Sequence, residues 1–397
     1  MSPTALPRPL EGLRVLDLSR AISGPYVGRL LADLGAEVVK IEVPDTDITQ
    51  KFGRRRHGHA GLYVQYNAGK RSVGIDLASE QGAEVLRGLA GAADVVVENF
   101  RPGVLDRLHV GYTDLSARNP GLIMLSVSGF GQWGPESGRQ AYAPVVHAES
   151  GMLGRQAEAD GTAPVDLTMA LADSTTALHG TVAVLAAVIL RGRTGQGQHL
   201  DISMLEAMLA SDDNVSYALE GDEFWPARGQ IVEVAGGPML ISADPKFLWS
   251  RLRAAGHVAD PDPDAPTAQR IAARAEVMEV WLSSFGSRSE VIAALEEARV
   301  AWAEVRTPRT VTDSPSVQAR GVVAQVDDRD GGTRPVIRTP YRFSAAESGP
   351  AAGAPHLGEH NAEVLESWVG MSEERVRALE ADGTLYRTAT PVGGETH

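Results

Sequence analysis

Through the first half of the chain, short runs of aliphatic and β-branched residues alternate with stretches whose apolar positions recur at helical spacing. RVLDLS reads as a strand and GPYVGRLLADLG as a helix, with Pro25 in its first turn and Gly35 at its end; EVVKIE is the next strand. SVGIDL, the helix EQGAEVLRGLAGA, the strand DVVVENF, the short helix GVLDRL and the strand GLIMLSV continue the series. Strands separated by helices in this way predict a doubly wound α/β layer with a parallel sheet. A long helix from about Leu171 to Leu190 follows and ends in RGRTGQGQ, whose glycines and basic residues suit a helix terminus. The strand HLDISM and the helix LEAMLASDDNV come next.

The pattern changes after Gly221, where Trp225, Pro226, Gly229, Gly236 and Gly237 crowd together. The strand PMLISA and the helices FLWSRLRAAG, RIAARAEVMEVWLSSF and SEVIAALEEA make a smaller α/β unit. The expected division is a large domain over residues 1–221, a small domain over 222–322 and a segment 323–397 that returns to the large one. That last segment reads as irregular until a helix near Asn361, and such segments run over another surface.

With 43% hydrophobic and 22% charged residues, the chain has a sizeable core to bury. A formal net charge of −14 speaks against nucleic-acid or anionic-membrane binding, so an anionic ligand must be met by local cations. There is no cysteine, hence no disulfide, thiolate ligand or cysteine nucleophile. The amino terminus has no signal-peptide core, and TVAVLAAVIL reads as too short to span a bilayer; a cytoplasmic protein is expected.

SGFGQWGP contains G-x-G-x-x-G at Gly129, Gly131 and Gly134. A dinucleotide fingerprint belongs after the first strand and opens a helix, whereas here Phe130 and Trp133 crowd the turn and PESGRQ begins no helix. It reads as a glycine-rich turn at the carboxyl end of a strand, on the ligand side of such a sheet. His57 and His59 in HGHA lack ligand partners at suitable spacing and follow RRR, so no metal site is expected. No G-x-S-x-G elbow is present.

Asp173 stands near the start of the most apolar helix, beside Ala172, Ser174, Thr175 and Thr176. By position it is either a helix-capping aspartate or a poorly solvated, nucleophilic carboxylate. His179 reads as a core histidine. Basic residues gather at Arg54, Arg55 and Arg56, at Lys70 and Arg71, and at Arg101 and Arg107, either as solvated surface or as partners for a phosphorylated ligand. The role of the three consecutive arginines stays open.

LEGLRVLDLSRAISGPYVGRLLADLGAEVVKIE, NAGKRSVGIDL, VVVENFRPGVLDRL, LIMLSVSGFGQWGP, LADSTTALHG, GQGQHLDISMLEAM and PHLGEHNAEVL together resemble the family III CoA-transferases, in order and over nearly the whole chain. That group includes formyl-CoA transferase, carnitine CoA-transferase and α-methylacyl-CoA racemase. The resemblance implies a Rossmann-like large domain with a parallel sheet, a smaller α/β domain and an interlocked homodimer. It implies an acyl-CoA:carboxylate CoA-transferase with acyl-CoA and a carboxylic acid as partners, coenzyme A as a substrate and no permanently bound cofactor. Asp173 falls on the nucleophile that forms an acyl anhydride and then an aspartyl-CoA thioester. Lys70, Asn99 and Arg107 fall on CoA-contacting positions, with Arg71 and Arg101 beside them.

Tyr142 occupies the position of the racemases' histidine and is followed by Ala143 rather than an acid. A phenol is a poor base near neutral pH, so transfer is favoured over racemisation, and Tyr142 is expected to line the acyl pocket. Formyl-CoA transferases carry a longer glycine run where this chain offers Gly236 and Gly237, and a glutamine where it has Ile22; formyl/oxalate exchange is therefore disfavoured. Asp244 falls near an acidic position of the racemases. A racemase or epimerase, and a CoA-ester binding protein without catalysis, are the other readings.

Overall fold

The apolar runs of the first half become the strands β1 (Arg14–Asp17), β2 (Glu37–Glu42), β3 (Arg71–Ile75), β4 (Val95–Glu98), β5 (Ile123–Ser128) and β6 (Gln198–Ser203). They pair in parallel in the order β3, β2, β1, β4, β5, β6. A computed structural model of the chain describes residues 6–44, 47–222 and 229–388. Among these, a seventh strand, Leu385–Tyr386, joins the free edge of β3 in antiparallel register. The carboxyl-terminal segment is thus more regular than expected. It contributes this strand, the hairpin Val323–Asp327 with Thr333–Ile337, and the helices Asn361–Val369 and Glu373–Ala381.

Both faces of the sheet are covered, which is why its strands are almost continuously apolar. Leu16, Val39, Val73 and Val96 point into one core with Leu86, Leu89, Leu365 and Trp368. Val15, Val38, Val95, Val97 and Leu125 point into the other. There they meet α1 (Ser23–Asp33), α2 (Ala143–Glu149) and α3 (Leu171–Thr194) through Val27, Val146 and Val184. At 24 residues, α3 is longer than its sequence reading and, by length and composition, long enough to cross a membrane, contrary to expectation. Its Ala172, Ala177, Val184 and Ala187 belong to the core. The stretch expected as one helix after β6 breaks into Met204–Ala210 and Val215–Glu220.

The chain divides into two units, Met1–Asp212 with Arg320–His397, and Asp213–Ala319. These divisions fall before the boundaries expected at 221 and 322; Trp225 and Pro226, which marked the first, lie outside the described residues. The second unit has a three-stranded antiparallel sheet of Gln230–Val234, Gly237–Ile241 and Trp302–Glu304. Its helices Pro245–Ala254, Thr267–Ser283 and Arg288–Glu297 close a core around Met239, Ile241, Leu248, Trp249 and Leu295.

Candidate active site

The strand order reverses between β1 and β4, so the chain leaving these neighbours runs toward opposite halves of the sheet and opens a crevice at their carboxyl ends. A cavity of about 140 Å³ lies there. Its wall takes Ala21 and Ser23 from the segment after β1, Asn99, Phe100 and Arg101 from the segment after β4, Ser128 and Gly129 from the end of β5, Tyr142 from the start of α2, and Asp173 from the first turn of α3. The glycine-rich turn SGFGQWGP therefore borders the site. Its glycines serve packing: a Cβ on Gly129 would sit 2.3 Å from that of Ala141, and Gly131 and Gly134 adopt φ of +91° and +98°.

Burial of the Asp173 carboxyl raises its pKa to about 6, opposed by hydrogen bonds from the Ser23 hydroxyl and backbone N–H. Asn99 spans the crevice. Its Oδ1 accepts the Arg20 N–H at 2.8 Å, and its Nδ2 donates to the Arg20 carbonyl at 2.7 Å and toward Ser23 Oγ at 3.5 Å. It thus ties the segment after β4 to the one carrying Ser23. Glu98, buried at the end of β4, accepts the Phe100 N–H at 2.7 Å, and burial lifts its carboxyl to about 7.

Phe100 also lines a neighbouring cavity of about 250 Å³ with Arg20, Lys40, Asp76, Leu77 and Val104. The Arg20 guanidinium lies 4.5 Å from the Phe100 ring centroid. Arg101 and Arg107 are exposed and make no ion pair among the described residues. Arg20, Ser23 and Phe100 were not singled out by sequence; SRAIS following the first strand was the available signal.

Two expected ligand cations are placed elsewhere. Lys70 is buried beneath α1, where its Nζ donates to Asp17 Oδ2 at 2.6 Å, the Pro25 carbonyl at 2.8 Å and Asn67 Oδ1 at 2.9 Å. Burial lowers the ammonium to about 8 despite Asp17. The helix passes this close because residue 28 is glycine: a Cβ there would stand 2.5 Å from Asp17 Oδ2. All three donors of Lys70 are spent inside the fold, so it has no free proton for a phosphate. Arg71 begins β3, at the end of the sheet opposite the crevice, and pairs with Glu37 at 2.8 Å and Glu363 at 3.4 Å.

Ile22 is the N-cap residue of α1, between the two wall residues Ala21 and Ser23, and is not itself part of the described wall. Gly236 ends the two-residue turn between Gln230–Val234 and Gly237–Ile241 in the second unit, and Gly237 opens the second of these strands, with φ of +91° and +107°. Asp244 caps the helix Pro245–Ala254, accepting the N–H groups of Lys246 and Phe247 at 2.9 Å each. It borders a cavity within that unit. Arg54, Arg55 and Arg56 are exposed; His57 pairs with Asp330 at 2.9 Å, while buried His59 stacks on Tyr63 and His356 and is lowered to about 3 by burial. His179 is no core residue: its Nε2 bonds Ser211 Oγ at 2.9 Å near the surface.

Comparison with known proteins matches this arrangement to one family. The profile of CoA-transferase family III fits residues 10–361. The chain is similar to a succinate–glutarate CoA-transferase of Agrobacterium fabrum, with 32% identity covering 96% of this chain and 98% of that one. It is equally similar to a succinyl-CoA:mesaconate CoA-transferase of Haloarcula hispanica, 32% identical over 93% of this chain and 99% of the other. A crystal structure of a CAIB/BAIF family protein from Brucella suis superposes with a TM-score of 0.79 at 31% identity, covering 91% of this chain and all of that one. The chain belongs to CoA-transferase family III.

Proposed function

We propose that this enzyme moves coenzyme A from an acyl-CoA to a carboxylic acid by covalent catalysis at Asp173. The observation that carries the reading is the placement of a desolvated carboxylate at the wall of the switch-point cavity. Asp173 attacks the thioester carbonyl; the C–S bond breaks, leaving an aspartyl-acyl anhydride and CoA thiolate. The thiolate then attacks the aspartyl carbonyl, releasing the donor acid and forming an aspartyl-CoA thioester. The acceptor carboxylate attacks that thioester, and the freed thiolate takes the new acyl group, restoring Asp173.

Racemisation would need a second acid–base group across the α-carbon. Among the described residues lining the cavity, Asp173 is the only carboxylate and there is no histidine. The two cavities share Phe100, which supports an elongated ligand whose thioester lies at Asp173 and whose nucleotide end lies beside Arg20 in the second cavity, with Arg101 on the wall of the first and exposed Arg107 next in sequence to the second cavity's Leu108. Removing a charge-assisted phosphate contact costs about 1.5–3 kcal/mol. R101A or R107A is thus expected to raise the acyl-CoA KM by roughly tenfold or more with kcat little changed, measured by steady-state kinetics.

The relatives' names make short dicarboxylic acids the first acceptors to test. Incubation with succinyl-CoA and a panel of mono- and dicarboxylic acids should yield new CoA esters by mass spectrometry. Solvent deuterium entering the α-position of an acyl-CoA without any acid would instead support racemisation.

An apolar stripe supports the homodimer: Leu178, Val182 and Ile189 on α3 are 47%, 65% and 60% exposed and lie along one side of the helix. Sedimentation should show a two-chain species that V182D/I189D dissociates; a monomeric wild-type enzyme would refute the assignment.

A further inference from the structure

Helix α3 carries Asp173 at its third position yet lacks the usual cap. Its N-cap residue is Ala170, which supplies no side-chain acceptor for the free N–H groups of the first turn. The N–H of Ala172, directly before Asp173, donates instead to Nε2 of His147 at 3.2 Å. His147 comes from α2 and is fully buried. A backbone amide only donates, so Nε2 must hold a lone pair and the ring proton must sit on Nδ1. Nδ1 lies 3.0 Å from Asp166 Oδ1, an acceptor for that proton.

We propose that His147, oriented by Asp166, is a positioning residue of the transfer reaction: it caps α3 from outside the helix and thereby fixes Asp173 against the thioester. The proposal rests on Asp173 being the nucleophile. His147 does not touch the substrate cavity, whose described wall omits it, so the effect must pass through the helix terminus. Glutamine reproduces both contacts, its carbonyl accepting from Ala172 and its amide donating to Asp166, whereas leucine reproduces neither.

The experiment compares H147Q, H147L and D173N by steady-state kinetics and by hydrogen exchange of the α3 amides in the intact enzyme. A small misplacement of a reacting group costs up to about 10²-fold. H147L should lose roughly that factor in kcat, with the acyl-CoA KM nearly unchanged and faster exchange confined to the first turn of α3. H147Q should recover most of the rate and the exchange protection. Wild-type kcat or protection in H147L overturns the cap, as does an H147Q no better than H147L in both readouts. The exchange readout does not depend on turnover. Full activity in D173N would therefore count against the nucleophile alone, while the protection data still decide the cap.

Discussion

Asp173→Asn should lose activity by roughly 10⁴-fold or more, the scale on which enzymes respond to loss of a covalent nucleophile, and should at the same time become more stable at neutral pH. The amide keeps the size of the carboxylate but cannot attack a thioester. The stability gain follows from the raised acidity constant. Asp173 stands at about 6 folded against an ordinary value of 3.8, so the folded protein holds this proton more tightly than the unfolded chain. Stability contributed by this group is therefore greatest below pH 4 and declines as pH rises to about 6. Above that, the ionised carboxylate destabilises the fold by up to about 3 kcal/mol. Asparagine has no proton to lose and escapes the penalty. Chemical denaturation at pH 7.5 should show D173N more stable by about 1–3 kcal/mol, a difference that shrinks toward pH 4. The wild-type rate should fall as pH drops through about 6, because only the ionised form attacks.

Lys70→Met should have the opposite profile, a large loss of stability with acyl-CoA affinity of the folded enzyme unchanged. Lys70 and Asp17 are both buried. Removing one partner of a buried pair costs about 3–5 kcal/mol, since the other charge stays buried without compensation. Among the described residues, Asp17 would keep as hydrogen-bond donors the Ser19 N–H and hydroxyl, with the Lys40 charge acting from further off. Removing both charges in D17N/K70M should restore much of the loss. An acyl-CoA KM raised in K70M without a stability change would return Lys70 to the ligand site.

These two residues show what the sequence discloses. The strands β1 to β6 were legible because a parallel sheet covered on both faces needs unbroken apolar runs. Of the candidate site residues, Asn99, Arg101, Tyr142 and Asp173, named chiefly through the family resemblance, come together at one cavity because they follow strands or open helices at one end of that sheet. Lys70 was expected among the CoA contacts through the family resemblance, and nothing local to a lysine before a strand signals that it is buried. Its partner Asp17 lies 53 positions upstream, and only the close passage of α1 at Gly28 encloses them together. His147 was invisible for a related reason. Its function depends on an acceptor missing at Ala170, and the two helices meet only in the folded chain. The edge strand Leu385–Tyr386 is too short to carry an alternating pattern and is defined by the β3 edge it completes.

The most direct test of the account is to trap the activated carboxyl of Asp173. Enzyme incubated with succinyl-CoA and then quenched with hydroxylamine should yield a hydroxamate on the peptide containing Asp173, identified by tandem mass spectrometry and absent from D173N. A mapped adduct on any other residue, or rapid exchange with no adduct under single-turnover conditions, would contradict it.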